Sequence, residues 1–210
     1  MRRAISSSVL VLALVGILFS VTAVYAEDYN PPTWRGNDRT TYQRWEFGTD
    51  TNPASPEVDY DNSLGMPTAS ITGSYPYTQY KETYLGETGV WRFEDYISIE
   101  IQNWPDPLDY KEIWLQMTFY ADGGVNPDVS TQPTAGSVEV VEKTENGDYW
   151  NITYDIIIEP NPESETIYIQ PSGCTLYISE IVIDTICTPE PLTIGLLGFG
   201  GLMLIRRRKR

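Results

Sequence analysis

Carboxylates are the side chains with which this chain would have to perform acid–base chemistry, because its 210 residues include no histidine. Without an imidazole, a serine–histidine triad, a cysteine–histidine dyad and a histidine-ligated metal site are all excluded. One protonated and one ionised carboxyl group suffice for glycoside hydrolysis. The chain has 29 acidic residues, and their spacing singles out no pair, so a carboxylate-based glycosidase is one of three functional hypotheses.

Two acidic segments carry oxygen ligands of the kind that Ca²⁺ prefers. Asp59 and Asp61 lie in the first, and Asp122, Asn126 and Asp128 lie in the second. Both segments read as turns, from which Ca²⁺ can gather about six to eight oxygen ligands. Neither matches the spacing of an EF-hand loop, and Asp and Asn are also ordinary turn residues. Calcium is therefore an alternative to the expectation that the protein has no cofactor.

Aromatic rings are the other candidates for ligand contact, since the chain has six tryptophans and fifteen tyrosines. Trp34 precedes the first predicted strand, Trp104 ends another before a Pro-Asp-Pro sequence, and Trp150 adjoins a hairpin turn. We predict that these three rings are exposed and contact a glycan. Because aromatics dominate the energetics of cores, burial of all six indoles is the alternative. The tryptophans expected in the core lie within strands: Trp45, Trp91 and Trp114.

The two cysteines, Cys174 and Cys187, are a candidate disulfide in an oxidising compartment. If residues 175–186 form one extended strand, the two α-carbons lie roughly 40 Å apart, whereas a disulfide needs them within about 7 Å. An intramolecular bridge therefore requires that strand to bend back. The alternatives are a free thiol at Cys187 or a link from it to another molecule.

Alternating apolar and polar residues, with many β-branched and aromatic side chains, predict an all-β domain over residues 39–188. Residues 27–38 are expected to form an extended, polar lead-in before order begins. Asn146 and Gly147 favour a hairpin turn, whereas residues 52–80 contain too many prolines and glycines for a long element. The predicted strands are residues 40–47, 89–93, 95–102, 111–120, 137–144, 149–159, 165–170 and 175–186.

Many short strands with no helix between them predict an antiparallel β-sandwich of the jelly-roll type. The last predicted strand is apolar on both faces near its centre, so we expect it in the middle of a sheet. Its pattern also resembles the closing strand of carbohydrate-binding jelly rolls, which implies a glycan ligand.

Both ends of the chain have the composition of export signals. Two arginines, an apolar run at residues 9–19 and small residues before Ala26 predict a signal peptide over residues 1–26. An uncleaved N-terminal helix is the alternative. At the other end, the apolar run at residues 192–205 and five following cations predict a transmembrane helix with a cytoplasmic basic tail. That helix would span roughly 21 Å of a hydrocarbon core of about 30 Å, which suits transient anchoring.

The C-terminal segment, residues 189–210, resembles the PEP-CTERM sorting signal of bacteria that export polysaccharide. The resemblance implies that exosortase, a membrane-embedded protease, cuts near the motif and releases the protein to the cell surface or extracellular matrix. Residues 31–36 and the strand after them also resemble a region that recurs among exported proteins of this kind. An ordinary tail anchor is the alternative. The residues that match the sorting signal are Pro189, Glu190, Pro191, Arg206, Arg207 and Arg208.

The charge of the exported part restricts its partners. Setting aside the seven cations of the two termini and Glu190 leaves 28 acidic and 7 basic residues, a net charge near −21. Such a surface repels phosphate backbones and anionic lipid, so no nucleic-acid partner is expected. The first hypothesis is a non-enzymatic surface or matrix protein associated with extracellular polysaccharide. A carbohydrate-binding module is the second, and the glycosidase is the third.

Overall fold

The computed structural model describes residues 28–60, 64–104 and 109–188, which form two antiparallel β-sheets. No α-helix occurs within these ranges, and a short 3-10 turn, Asp122–Gly124, is the single helical element there. The predicted signal helix and transmembrane helix lie outside them. The strands are β1 (Thr40–Trp45), β2 (Val58–Tyr60), β3 (Thr68–Ile71), β4 (Gln79–Tyr84), β5 (Glu87–Phe93), β6 (Ile97–Gln102), β7 (Tyr110–Ala121), β8 (Asp128–Gln132), β9 (Ser137–Asn146), β10 (Tyr149–Ile158), β11 (Ser164–Gln170) and β12 (Leu176–Thr188).

The larger sheet is organised around β12, which confirms the central position expected for the last strand. Its strand order is β2-β1-β12-β7-β10-β9. One side of β12 pairs with β7 along its length, and the other side pairs first with β5 and then with β1. A bulge between Ile178 and Glu180 separates these two pairings. Strand β4 adds to β5, and the smaller sheet has the order β3-β6-β11-β8.

Side chains from the inner faces of both sheets form one hydrophobic core. Alternation along β7 points Ile113, Leu115, Met117 and Phe119 inward, and all four are fully buried. Because successive side chains of a strand point to opposite faces, the intervening residues of β7 lie on the outer face of the larger sheet. The smaller sheet contributes Ile97, Ile99, Ile101, Ile167 and Ile169 to the same core.

The hairpin predicted around Asn146 and Gly147 is confirmed. Strands β9 and β10 pair from Asn146 and Tyr149 outward, and Gly147 has a φ of +62° that an L-residue rarely adopts. The broken segment before residue 80 is also as expected, since its described residues contain only the short strands β2 and β3 and the start of β4. The sequence did not predict β4 or β8, which lie in regions interrupted by proline and glycine.

The candidate disulfide is not formed. Cys174 and Cys187 are both free thiols, one just before β12 and the other near its end. Strand β12 runs between them without turning back, so their α-carbons cannot approach within bonding range. Cys187 is buried and Cys174 is half-buried, and burial raises the pKa of both thiols.

Candidate functional site

The lead-in, described from residue 28 to residue 38, lies on the outer face of the larger sheet. The sequence predicted that ordered structure begins only after residue 38. The Tyr29 hydroxyl accepts a hydrogen bond from the Met117 amide at 3.2 Å and lies 3.1 Å from the Met117 carbonyl oxygen. The Asn30 amide donates to Gln116 Oε1 at 2.9 Å, and Asn30 Nδ2 donates to Thr153 Oγ1 at 3.2 Å. These bonds cover part of β7 and β10 with a segment that has no strand of its own.

Arg35 links the lead-in to β12, the central strand of the larger sheet. Its guanidinium donates to both carboxylate oxygens of Asp184 and also pairs with Asp28. The same group stacks over the Tyr42 ring, 4.3 Å from the ring centroid. Asp184 is fully buried, and this burial raises its pKa to about 6 against the opposing effect of Arg35. A bidentate contact of this kind fixes orientation as well as position.

Between the lead-in and β9 lies a cleft of about 620 Å³. It is lined by residues 30–34, by Glu112 and Trp114 of β7, and by Val141 and Glu142 of β9. Small-molecule sites in proteins typically enclose about 300–1,000 Å³, so its size suits a ligand of one or a few rings. We call it the tryptophan cleft.

Both indoles of the tryptophan cleft are held by their ring nitrogens. Trp34 Nε1 donates to Glu112 Oε1 at 2.7 Å, and Trp114 Nε1 donates to the Asn30 carbonyl at 2.7 Å. Each side chain is half-buried. The rings are therefore oriented before any ligand arrives, and their exposed parts are available for stacking.

The tryptophan cleft is acidic. Glu112 and Glu142 provide acceptor oxygens, and none of the described residues that line the cleft is a lysine or an arginine. Asp155 pairs with Trp114 in the strand ladder, and burial raises its pKa, with Glu112 and Glu139 adding to the effect. One Asp155 oxygen is buried without a hydrogen-bond partner in the described part of the chain. The cleft thus favours donors such as hydroxyl groups and disfavours anions.

The three tryptophans predicted to bind a glycan do not form one surface. Trp34 lies in the tryptophan cleft, as just described. Trp150 is half-buried against the core and has the Lys143 ammonium 4.4 Å from its ring centroid. Trp104 is half-buried, and its indole nitrogen is enclosed without a partner within the described ranges. Only Trp34 among the three is placed in a cleft with a second indole.

Trp114 was expected in the core, and this expectation is wrong. It shares the outer face of β7 with Glu112 and Gln116, because Ile113 and Leu115 take the inward positions. The alternation of the sequence Glu-Ile-Trp-Leu-Gln already contained this signal, since the polar residues flank the indole at a spacing of two. Trp45 and Trp91 are buried, as predicted.

The calcium candidates are dispersed. Asp59 lies on β2 and accepts from Gln43 Nε2 at 3.3 Å, while Asp122 accepts from the Tyr120 hydroxyl at 2.9 Å. Asn126 Oδ1 accepts from Lys143 Nζ at 2.7 Å, and Asp128 is exposed at the start of β8. The described residues contain no group of three or more acidic or cysteine side chains placed to hold a metal. Calcium binding therefore stays an untested prediction.

A second cleft is also acidic but offers less for stacking. Glu46, Asp50, Tyr80 and Glu82 line it. The Tyr80 hydroxyl donates to the Phe47 carbonyl at 3.0 Å, and no indole is present among the described lining residues. We therefore take the tryptophan cleft as the candidate site.

The predicted sorting and processing residues lie outside the described ranges, as does the calcium candidate Asp61. Within the described ranges there is no helix with the length and apolar character needed to cross a membrane. The processing residues concerned are Ala26, Pro189, Glu190, Pro191, Arg206, Arg207 and Arg208.

The functional interpretation of this chain depends on its own residues and their arrangement. Comparisons with protein-family models, with curated proteins and with solved structures returned no significant match.

Proposed function

We propose that this chain is an exported, non-enzymatic protein whose β-sandwich of jelly-roll type binds a glycan and associates with extracellular polysaccharide. The observation that carries the proposal is the tryptophan cleft, where two oriented indoles, Trp34 and Trp114, lie beside the carboxylates Glu112 and Glu142. An indole presents an apolar face to the carbon–hydrogen face of a sugar ring, and carboxylates accept hydrogen bonds from sugar hydroxyls.

Binding is favoured over hydrolysis by the position of the carboxyl best suited to act as an acid. Burial raises the pKa of Glu180 to about 7, which would suit a general acid at neutral pH. However, its side chain is only 10% exposed, so a sugar cannot reach its oxygens without displacing the groups around it. A carboxylate-based glycosidase is therefore not the function we propose.

Replacing either indole of the tryptophan cleft is expected to abolish most glycan binding. Trp114→Ala or Trp34→Ala removes one stacking face, and we expect affinity to fall at least about tenfold, equivalent to about 1.4 kcal/mol. The measurement is a titration of the wild type and the variants with a broad panel of soluble glycans, which includes the polysaccharide of the organism that makes this protein.

The matched control for these variants is Tyr75→Ala, which removes an aromatic ring that is 82% exposed and outside the cleft. It should bind like the wild type. Circular dichroism of each variant distinguishes a lost contact from a lost fold. A wild type that binds no glycan in the panel, or cleft variants that bind as tightly as the control, would contradict the proposal.

The export route follows from the two termini. We propose cleavage after Ala26, a transient membrane anchor at residues 192–205, and recognition of Pro189, Glu190 and Pro191 by an exosortase-type protease. Five cations after the anchor support retention of the tail on the cytoplasmic side. Released protein would then reside at the cell surface or in the matrix.

Mass analysis of the protein recovered from the medium tests this route. We expect a mature form that lacks residues 206–210, because those cations stay inside while the rest is released. A variant with Glu190→Ala is expected to remain in the membrane fraction with its tail. Recovery of external protein with an intact C-terminus would show that release at the motif does not occur.

A further inference from the structure

Three polar side chains meet in the core at one end of the two sheets. Lys111 comes from β7 of the larger sheet, Glu165 from β11 of the smaller sheet, and Asn103 directly follows β6. Lys111 is 0% exposed, Glu165 is 1% exposed and Asn103 is 7% exposed. Burial of an amine, an amide and a carboxyl group together costs free energy unless each has a hydrogen-bond partner, so the three groups are expected to contact one another.

The three groups form a closed set of contacts. Lys111 Nζ donates to Asn103 Oδ1 and pairs with Glu165 Oε1. Asn103 Nδ2 donates to Glu165 Oε2 at 2.7 Å and to the Pro162 carbonyl at 2.6 Å. One carboxyl group therefore contacts both the amine of the lysine and the amide nitrogen of the asparagine. We call this set the Lys-Asn-Glu triad.

We infer that Lys111 and Asn103 become joined by an intramolecular isopeptide bond, with Glu165 transferring the proton between the reacting nitrogens. The neutral Lys111 amine attacks Asn103 Cγ, and a bond forms between Nζ and Cγ. The bond between Cγ and Nδ2 breaks, and the amide nitrogen leaves as ammonia. Glu165 delivers its proton to Nδ2 and takes one from Nζ, so its own protonation state is restored and the reaction consumes no other reagent.

The positions of the atoms suit this reaction. Cγ is one bond of about 1.2 Å from Oδ1, so an amine hydrogen-bonded to Oδ1 lies close to the carbon that it would attack. The contact of Asn103 Nδ2 with Glu165 and Pro162 orients the amide so that its leaving nitrogen faces the carboxyl group. Proton delivery from a group already in hydrogen-bond contact is what general acid catalysis requires.

The surroundings favour the protonated Glu165 carboxyl group that the reaction needs. Lys111 lies opposite Ile158 in the ladder of β10 and β7, and Glu165 lies opposite Ile101 in that of β11 and β6. Both isoleucines are at most 1% exposed, so little water reaches the triad. Burial raises the pKa of Glu165 against the opposing effect of Lys111. A protonated Glu165 provides the acid for the leaving nitrogen, and the Lys111 amine beside it is the nucleophile.

Peptide mapping of the folded, full-length chain tests the inference. Trypsin normally cleaves after lysine, but an acylated Lys111 is not a substrate. After denaturation and digestion we therefore expect a single peptide from Phe93 to Lys143 whose mass is about 17 Da below the calculated value, through loss of ammonia. Cleavage of this peptide before Asp106 and Asp109 should leave two fragments that remain joined.

Cleavage after Lys111, with two peptides of unmodified mass, would overturn the inference. A cyclic imide at Asn103 would lose the same ammonia but would leave Lys111 cleavable and produce no joined fragments, so that result also overturns it. The Glu165→Gln variant keeps the amine and the amide, and we expect it to yield the unlinked peptides. Full linkage in that variant would overturn the role given to Glu165. The peptide map of the wild-type chain tests the bond itself and does not depend on how well the variant folds.

Discussion

The Lys111→Met variant is expected to lose about 3–5 kcal/mol of unfolding free energy. Lys111 is fully buried and pairs with Glu165, which is itself 1% exposed. Removal of Lys111 prevents the link to Asn103 and leaves the buried Glu165 carboxyl group without its partner, and an unpartnered buried carboxyl group is among the costliest single defects in proteins. Methionine has a similar length, so the loss reports the missing nitrogen and its contacts more than a cavity. Urea denaturation at pH 7 is the measurement.

A double variant separates the effect of the unpartnered Glu165 carboxyl group from the other effects of Lys111→Met. Neither Lys111→Met nor Lys111→Met with Glu165→Leu can form the isopeptide bond, so the two differ only in the buried carboxyl group. We expect the double variant to be more stable than the single one by about 2 kcal/mol, since apolar replacement of both partners is tolerated. Lys81→Met, at a half-buried lysine outside the triad, serves as the control. Equal stability of the single and double variants would contradict this account.

Stability is expected to fall by about 3 kcal/mol between pH 5 and pH 8, with Glu180 as the main cause. Glu180 is 8% exposed, and its Oε1 accepts no hydrogen bond in the described part of the chain. Arg44 Nε lies 3.9 Å from that oxygen, too far for a hydrogen bond. Burial raises the pKa of Glu180 from 4.5 to about 7, and this difference corresponds to about 3 kcal/mol.

The sign of the effect follows from proton linkage. Because the pKa of Glu180 is higher in the folded state than in the unfolded state, the folded state holds the proton more tightly. Its contribution to stability is complete below about pH 4.5 and is lost as the pH rises through about 7. Asp184, whose pKa burial raises to about 6, acts in the same direction.

Glu180→Gln provides the critical comparison for this pH dependence. We expect the unfolding free energy of the variant to fall much less between pH 5 and pH 8, because the amide has no proton to lose and can still fill the site. Glu100→Gln removes a carboxyl group that is exposed on the smaller sheet, and it should retain the wild-type dependence. Denaturation curves at several pH values supply the measurement. If Glu180→Gln shows the wild-type slope, another group controls the effect.

Local patterns were sufficient to predict most strands and one hairpin. The turn at Asn146 and Gly147 is a short-range signal, because two residues set the backbone angles that pair the flanking strands. The long apolar run of β12 also predicted a central strand, since both of its faces are covered. By contrast, β4 and β8 have few apolar residues. Strand β8 pairs with β11, which is distant in sequence. Strand β4 pairs with β5 across the tight turn at Leu85 and Gly86, and this local signal lacked the alternation of apolar residues that would have predicted a strand.

The lead-in shows why the candidate site could not be predicted in the same way. Its polar and proline-rich composition is typical of a segment without strand partners, and it has none. It is held instead by side-chain contacts such as Arg35 with Asp184, which are 149 residues apart. No periodicity in the sequence records a contact of this kind. The sequence therefore predicts exposure for Trp34 and burial for its neighbour Trp114.

The sequence by itself determined the all-β class, the absence of imidazole chemistry and the acidic charge, and it is the basis on which export signals are proposed for the two ends. These properties depend on composition and on residues close together in the chain. Only the tertiary structure decided that Trp34 joins Trp114, that Glu180 is enclosed, and that Lys111 meets Asn103 and Glu165. Each of these depends on which strands become neighbours and which face each side chain takes, and long-range packing free energy selects that arrangement.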